Sequence, residues 1–269
     1  MRPLLHLLDP RAQRVNVFFA FLVGSVLGAL LMRLAGWPLW SATAIALGAM
    51  GLPLARSWRA TWQREGIALA VLSSLIYLQS FHSIEHVVQW VQYHFLGYPP
   101  KLASGLISPL NAEWVHFSWN WMVLLLLGVL WCHGFMRTRR GTGRINVFAL
   151  GMVLWTAAHT AEHSYLMIRY LDALATLRGQ GVDPSFAQGL PGFFGSHGWL
   201  SQQELPPAGL FVCQLLPGLV AAPRLDVHFV WNMGEVILLW LAAWGFVAPV
   251  RGATGDDARS RTAALAVGS

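Results

Sequence analysis

The chain has 269 residues, 55% of them hydrophobic and 11% charged, with 14 Trp and a mean hydropathy of +0.50. It is too apolar and too poor in charge for a soluble domain of this length, and it reads as an all-α integral membrane protein. A formal net charge of +6 and a pI near 10.0 would suit a nucleic-acid binder. The basic residues, however, fall in short clusters between apolar runs, so the expected partner is the lipid bilayer, with no nucleic acid.

In chain order, Arg2, Arg11 and Arg14 precede an apolar run over 16–35. This beginning has the look of a secretory signal, but the run is long enough to span and shows no small-residue cleavage site, so it reads as a retained helix. A second helix is expected over 39–55, followed by Arg56, Arg59 and Arg64; a third over 66–93; and a fourth over 114–136, followed by Arg137, Arg139, Arg140 and Arg144. A fifth over 145–171 leads into a long external segment, 172–226, and a sixth covers 227–247. Each run approaches the roughly 20 apolar residues that cross a bilayer. Because cytoplasmic loops collect Lys and Arg, the clusters predict six crossings with both termini cytoplasmic. The expected location is the cell membrane, the inner one if the source is bacterial. Residues 251–269, with Arg251, Arg259 and Arg261, read as a disordered cytoplasmic tail. The Cys count of 2, Cys132 and Cys213, suggests no disulfide framework.

The long segment 172–226 is unusually apolar. Phe193-Phe194, Trp199-Leu200 and the run 210–216, punctuated by Gly and Pro, predict pieces that cap the bundle or lie in the interface.

The chain also repeats itself. His82-Ser83-Ile84-Glu85-His86 is echoed by His159-Thr160-Ala161-Glu162-His163, and Val115-His116-Phe117-Ser118-Trp119-Asn120 by Val227-His228-Phe229-Val230-Trp231-Asn232. The order of the two motifs is the same in each copy. Gly105-Leu106-Ile107-Ser108-Pro109 ahead of the first His-Phe motif resembles the stretch from Gly218 to Pro223 ahead of the second. The expected architecture is therefore a six-helix transmembrane bundle with an internal parallel duplication of a two-helix hairpin. Residues 1–250 form one transmembrane domain: a first hairpin at 14–63, one repeat at 64–137 and the other at 144–250. Arg14-Val15-Asn16-Val17-Phe18 and Arg144-Ile145-Asn146-Val147-Phe148 hint that the first hairpin is a degenerate third copy.

On a helix, His82, Glu85 and His86 fall within an arc of about 100°, as do His159, Glu162 and His163. His116 and Asn120 are one turn apart, as are His228 and Asn232. At 1.5 Å per residue, His82 lies roughly 24 Å and His159 roughly 21 Å from the cytoplasmic starts of their helices. His116 and His228 begin theirs on the external side, so all four stripes are expected to meet near the outer boundary of the hydrocarbon. Six imidazoles and two carboxylates form a mixed nitrogen and oxygen set that suits iron, zinc or copper and poorly suits calcium or magnesium. Two ions are expected, iron favoured, with Glu85 and Glu162 as ligands; Asn120 and Asn232 would ligate weakly or hold a histidine's second nitrogen. Glu235 has Val123 at the matching place of the first copy, and would relay protons or balance charge. A hydrogen-bonded polar network with nothing bound accounts for the same residues.

The His-x-x-x-His spacing resembles in type the histidine boxes of membrane di-iron desaturases and hydroxylases. The resemblance covers only the motif helices; the second motif ends in Asn, and the paired double-His boxes of those enzymes are absent. It implies a non-haem di-iron oxidoreductase acting on a lipid-soluble or small apolar substrate, supplied by an electron donor. Glu85, Glu162 and Glu235 are the candidate catalytic carboxylates. The competing expectations are a transition-metal transporter or sensor, a zinc hydrolase on the same ligands, and a b-type haem electron carrier, which the glutamates disfavour. His6, His94, His133 and His197 have no counterparts and read as incidental, His197 in the long loop being the first exception to expect.

Overall fold

The computed structural model describes residues 9–10, 13–138, 144–202 and 217–247. The expected tail at 251–269 and the apolar stretch 210–216, with Cys213, lie outside the described residues. Within them the chain is helical, and its one extended pairing is an isolated antiparallel bridge between Arg137 and Ile145. Six long helices carry the fold: α1 (Arg14–Ala35), α2 (Leu39–Glu65), α3 (Ile67–His94), α4 (Glu113–Cys132), α5 (Val147–Gly179) and α6 (Arg224–Val247).

Four of them, α1, α3, α4 and α6, are long and apolar enough to cross a membrane, which suggests a membrane protein. The other two are diluted by charge. α2 carries Arg56, Arg59, Arg64 and Glu65, and α5 carries its His-Glu-His segment together with Arg169, Asp172 and Arg178.

Three helix ends differ from the sequence expectation. α2 does not stop at 55, because 56–65 contains neither Gly nor Pro; it runs on until Gly66, whose φ of 87° breaks it. α5 continues past 171 to Gly179, and its 33 residues make it about 50 Å long, more than a bilayer's hydrocarbon needs. α4 stops at Cys132, short of 136, and the chain turns through Gly134 (φ 82°) to bury Phe135 beneath the bundle.

α1 touches α2 closely because Gly24 and Gly28 sit one turn apart against Ala46 and Ala42; a Cβ on Gly28 would lie 2.9 Å from the Ala42 carbonyl oxygen. This is the small-residue approach that lets helices associate in an apolar solvent. Elsewhere α1 exposes Phe18, Phe19, Leu22, Val26 and Leu30. α2 leans on α3, where the Trp58 indole N–H donates to the Ala70 carbonyl at 3.1 Å.

The remaining four helices close a ring in which each neighbour runs antiparallel to the next: α3 against α6, α6 against α5, α5 against α4, and α4 more lightly against α3. Each expected hairpin, α3 with α4 and α5 with α6, thus keeps its two helices side by side, and the two meet where α3 packs on α6 and α4 on α5. The ring has two storeys. At the end marked by Arg64 and Arg137 it is filled by Leu72, Leu75, Ile76, Leu127, Met152 and Leu239, floored by Phe135 and Phe246. At the other end, where the long loops lie, its filling is polar.

The echo between 14–18 and 144–148 carries no shared role. Asn146 caps α5, accepting from the Ala149 N–H and donating to the Ala242 carbonyl at 2.9 Å, whereas Asn16 lies exposed inside α1 and donates to Gln13.

Gly28→Leu is expected to overpack the α1–α2 contact at a cost of about 1–3 kcal/mol and lower the melting temperature in detergent. Gly48→Leu, at a position with no neighbour within 4 Å, should leave it unchanged; equal melting of the two variants would contradict this packing.

Candidate functional site

The polar storey is built from the inside outward. Six imidazoles occupy its centre: His82 and His86 from α3, His116 from α4, His159 and His163 from α5, and His228 from α6, all buried. Their rings form an unbroken contact series. His82 and His86 are 4.7 Å apart, His86 and His116 5.5 Å, His116 and His163 5.2 Å, His163 and His228 5.1 Å, and His159 and His163 4.9 Å, centre to centre. The residues that share a height by sequence therefore share a site in space.

Two tryptophans bracket the cluster. The Trp119 ring stacks on His82 at 5.0 Å, and the Trp231 ring stacks on His159 at 5.1 Å with the planes only 6° apart. The motif tryptophans thus orient a histidine of the neighbouring helix by packing.

Ring nitrogens are positioned in matching ways. His116 Nδ1 faces the Ala112 carbonyl at 3.3 Å and His228 Nδ1 faces the Arg224 carbonyl at 3.1 Å, each one turn back on its own helix. With Nδ1–H spent on the backbone, Nε2 of both rings is the free lone pair. His82 and His86 bring their Nε2 atoms to 3.3 Å, and ligand atoms of His82, His86 and His116 lie within 4.8 Å of one another. Nitrogens about 2.0–2.1 Å from a tetrahedral ion would stand about 3.3–3.4 Å apart, so the His82–His86 spacing fits a cation between them. The rest of the set is short of partners. His159 Nε2 and both nitrogens of His163 are buried without a hydrogen bond among the described residues. Orphaned buried nitrogens are rare enough in folded proteins to need an explanation.

The asparagines do not hold ring nitrogens. Asn120 Nδ2 donates to the His116 carbonyl and Asn232 Nδ2 to the His228 carbonyl, each at 2.9 Å, so they secure the helix turn beneath each histidine. Their own carbonyls receive hydroxyls from the next helix: Thr160 donates to Asn120 O at 3.3 Å and Ser83 to Asn232 O at 3.1 Å. Asn232 Oδ1 is buried and has no hydrogen-bond partner among the described residues.

The expected ligand carboxylates face the other way. Glu85 accepts from the Leu106 N–H at 2.9 Å and the Ile107 N–H at 2.8 Å. Glu162 receives the Phe193 N–H on both oxygens at 3.0 Å. Neither lies within ion-pair distance of a cluster imidazole. The physical reason is local: loop amides at a buried turn have no other acceptor, and a carboxylate one helical turn away meets them. Each latch depends on a glycine, because a Cβ on Gly105 or Gly192 would overlap the Glu85 or Glu162 carboxylate. Gly192 therefore stands to Glu162 as Gly105 stands to Glu85, whereas Gly218, aligned with Gly105 by sequence, stands in a short helix, Pro217–Ala221, with open space around it.

Beyond the latches, both loops fold onto the cluster. Gln92 grips Gly105 at its N–H and its carbonyl, 2.8 and 3.2 Å. Phe193 stacks on Tyr165 at 4.4 Å, and Arg169 donates to the Pro191 carbonyl at 3.0 Å. Glu113, itself buried, pairs with Arg224, and His94 Nε2 meets Asp226 at 2.7 Å. His94, incidental by sequence, therefore ties α3 to α6. His197 is exposed in the second loop at φ 64°, and His133 stays on its own helix, facing the Val129 carbonyl.

One carboxylate does reach a cluster imidazole. Glu235 Oε1 lies 3.2 Å from His159 Nδ1, within ion-pair distance but not aligned as a hydrogen bond. Its other oxygen accepts from Gln79 Nε2, and Gln79 Oε1 accepts from the Trp119 indole at 2.7 Å.

Arg224 and the glycine latches escape sequence reasoning for different reasons. Arg224 reads as a loop residue until α6 is seen to begin there. Gly192 is hidden because the two loops differ in length, which shifts the counterpart away from the aligned position.

No family model matches the chain, and no curated protein or solved structure is found to be similar to it.

Glu162→Ala should free the Phe193 amide and loosen residues 188–199, costing about 1–3 kcal/mol for each buried donor left unpaired. Hydrogen exchange across that loop is expected to quicken, while exchange in the Ser108–Asn111 turn stays slow; uniform protection in the variant would refute the latch.

Proposed function

We propose that the chain is a membrane-embedded oxidoreductase whose six imidazoles hold two transition-metal ions, acting on a lipid-soluble or small apolar substrate with electrons exchanged through a separate donor. The observation that carries this reading is the sealed cluster of imidazoles with orphaned nitrogens, which a polar network alone leaves unexplained. The hairpins are read as duplicated. One set comprises His82, His86 and His116, and the other His159, His163 and His228. Support for the pairing comes from the matched tryptophan stacks, the matched Nδ1 contacts and the matched Ser83 and Thr160 hydroxyls.

The donor set revises the choice of ion. Iron rested on carboxylate ligation by Glu85 and Glu162, and these are engaged by loop amides. An all-imidazole set fits copper better, with iron and zinc less favoured. Such a pair of ions would supply electron transfer to and from a bound substrate. The protein's part is to fix ring orientation through backbone and tryptophan contacts, and to exclude water with the two latched loops.

Other readings fit less well. Rings in direct contact leave no flat slot for a porphyrin. Transport favours broken helices at the bilayer midplane, and the motif helices are continuous. A zinc hydrolase needs a free carboxylate base beside the ion, and both motif glutamates are occupied.

For topology we propose six spans, α2 and α5 crossing as polar members of the bundle. The end bearing Arg64 and Arg137 then faces the cytoplasm, with both termini on that side, and the imidazoles lie toward the opposite face.

Elemental analysis of detergent-purified protein tests this directly. About two transition-metal ions per chain are expected, falling to about one when His82 and His86 are both changed to Ala. Glu85→Ala should retain both ions. Wild-type protein without stoichiometric metal after growth in metal-replete medium would overturn the proposal, and an intense visible haem band would replace it.

A further inference from the structure

Two positions beside the cluster differ between its halves. Seven residues past the motif histidine, α6 has Glu235 where α4 has Val123; three residues before the first histidine, α3 has Gln79 where α5 has Thr156. Both departures fall on the α3–α6 side, and they touch. The Trp119 indole can only donate, so Gln79 must turn its carbonyl oxygen to it, and the amide NH2 is left facing Glu235. With one oxygen occupied by Gln79, Glu235 places the other 3.2 Å from His159 Nδ1, within ion-pair distance but off the line of a hydrogen bond. Among the described residues, no other carboxylate comes within ion-pair distance of an imidazole of the cluster.

We infer that Glu235 is a positioning residue: it holds His159 with Nδ1 turned to the carboxylate and Nε2 turned inward, so that the His159, His163 and His228 set binds its ion more tightly than the His82, His86 and His116 set, and with a different spectrum. The inference rests on the two-ion reading above. A carboxylate behind an imidazole fixes its tautomer and strengthens its remaining nitrogen as a donor. His82, the counterpart of His159, has an indole against its face and no acid behind it. The site is duplicated in its ligands but unequal in their support, a usual need when electrons enter at one ion and leave at the other. Gln79 completes the arrangement by tying Glu235 to the tryptophan that packs on His82, so the support of one set is anchored to the packing of the other.

The test uses the full chain in detergent, stripped by chelator and titrated with Co(II), whose visible d–d bands report each site. Wild type is expected to fill in two steps with different bands. Glu235→Val, which copies Val123, should weaken the tighter step by about 10–100-fold and move its bands while leaving the other step in place. Glu235→Gln keeps an acceptor oxygen and should recover part of the loss; it also carries the test if the Val variant does not fold, since a band shift confined to one step supports the inference. Unchanged steps and bands in a folded variant, or equal weakening of both steps, overturns it while the two-ion reading stands. Wild-type protein that takes up no Co(II) overturns the inference, and if the purified protein also holds no stoichiometric metal the two-ion reading falls with it.

Discussion

Burying imidazole and amide groups in a bundle of apolar helices obliges every polar atom to find a partner inside the protein, because neither lipid nor a packed core supplies one. The upper storey of the ring is arranged around that obligation. An outer shell of polar side chains is spent on backbone groups: Glu85 and Glu162 on loop amides, Asn120 and Asn232 on helix carbonyls, Ser83 and Thr160 on carbonyls of the adjoining helix. What remains in the middle is six imidazoles facing mainly one another. Among the described residues the periphery leaves over Asn232 Oδ1, Glu113 Oε2 and Trp231 Nε1, while the centre leaves over several ring nitrogens that converge, and on the proposed reading a bound cation would partner those nitrogens.

The same contacts fix the order of helices around the ring. A hydroxyl from α3 meets α6, its counterpart from α5 meets α4, and the two ion pairs at the loop end, Glu113 with Arg224 and His94 with Asp226, tie α4 and α3 to the start of α6. Below them the interdigitated Leu, Ile and Met side chains hold the four helices at one spacing. An imidazole cluster needs its nitrogens fixed to a fraction of an ångström, and a rigid apolar foot delivers that better than loops do. The α1–α2 pair stands outside this core, joined to the ring chiefly through α3.

How much of this is legible in the sequence depends on the range of the interaction concerned. The central histidines are readable because helical periodicity and the height of each motif are local properties, and two copies at matching places leave little freedom. The direction of Glu85 and Glu162 is not readable. Both lie on the histidine face by angle, but a carboxylate near the edge of that face can turn inward or toward a loop, and the choice depends on where Gly105 and Gly192 bring backbone amides. Loop closure across 20 or 30 residues leaves no periodic trace. The helix ends follow the same rule: α2 overruns its expected stop because charge alone does not end a helix, while Gly66 does.

The turned carboxylates also constrain the charge that the centre can hold. Neutral imidazoles provide donors but no negative charge, and among the described residues Glu235 is the one acid within ion-pair distance of the cluster. On the proposed reading, two ions of high charge would stand largely uncompensated among apolar helices, where the cost of an unpaired charge is several kcal/mol or more. Ions of low charge, such as the reduced form of copper, are far cheaper to keep there. A nitrogen-only shell thus favours the reduced state, and any step that raises the charge must bring in an anion or take the electron back quickly. On the same reading, Glu235 beside His159 would make that side of the cluster the natural place for the extra charge to reside.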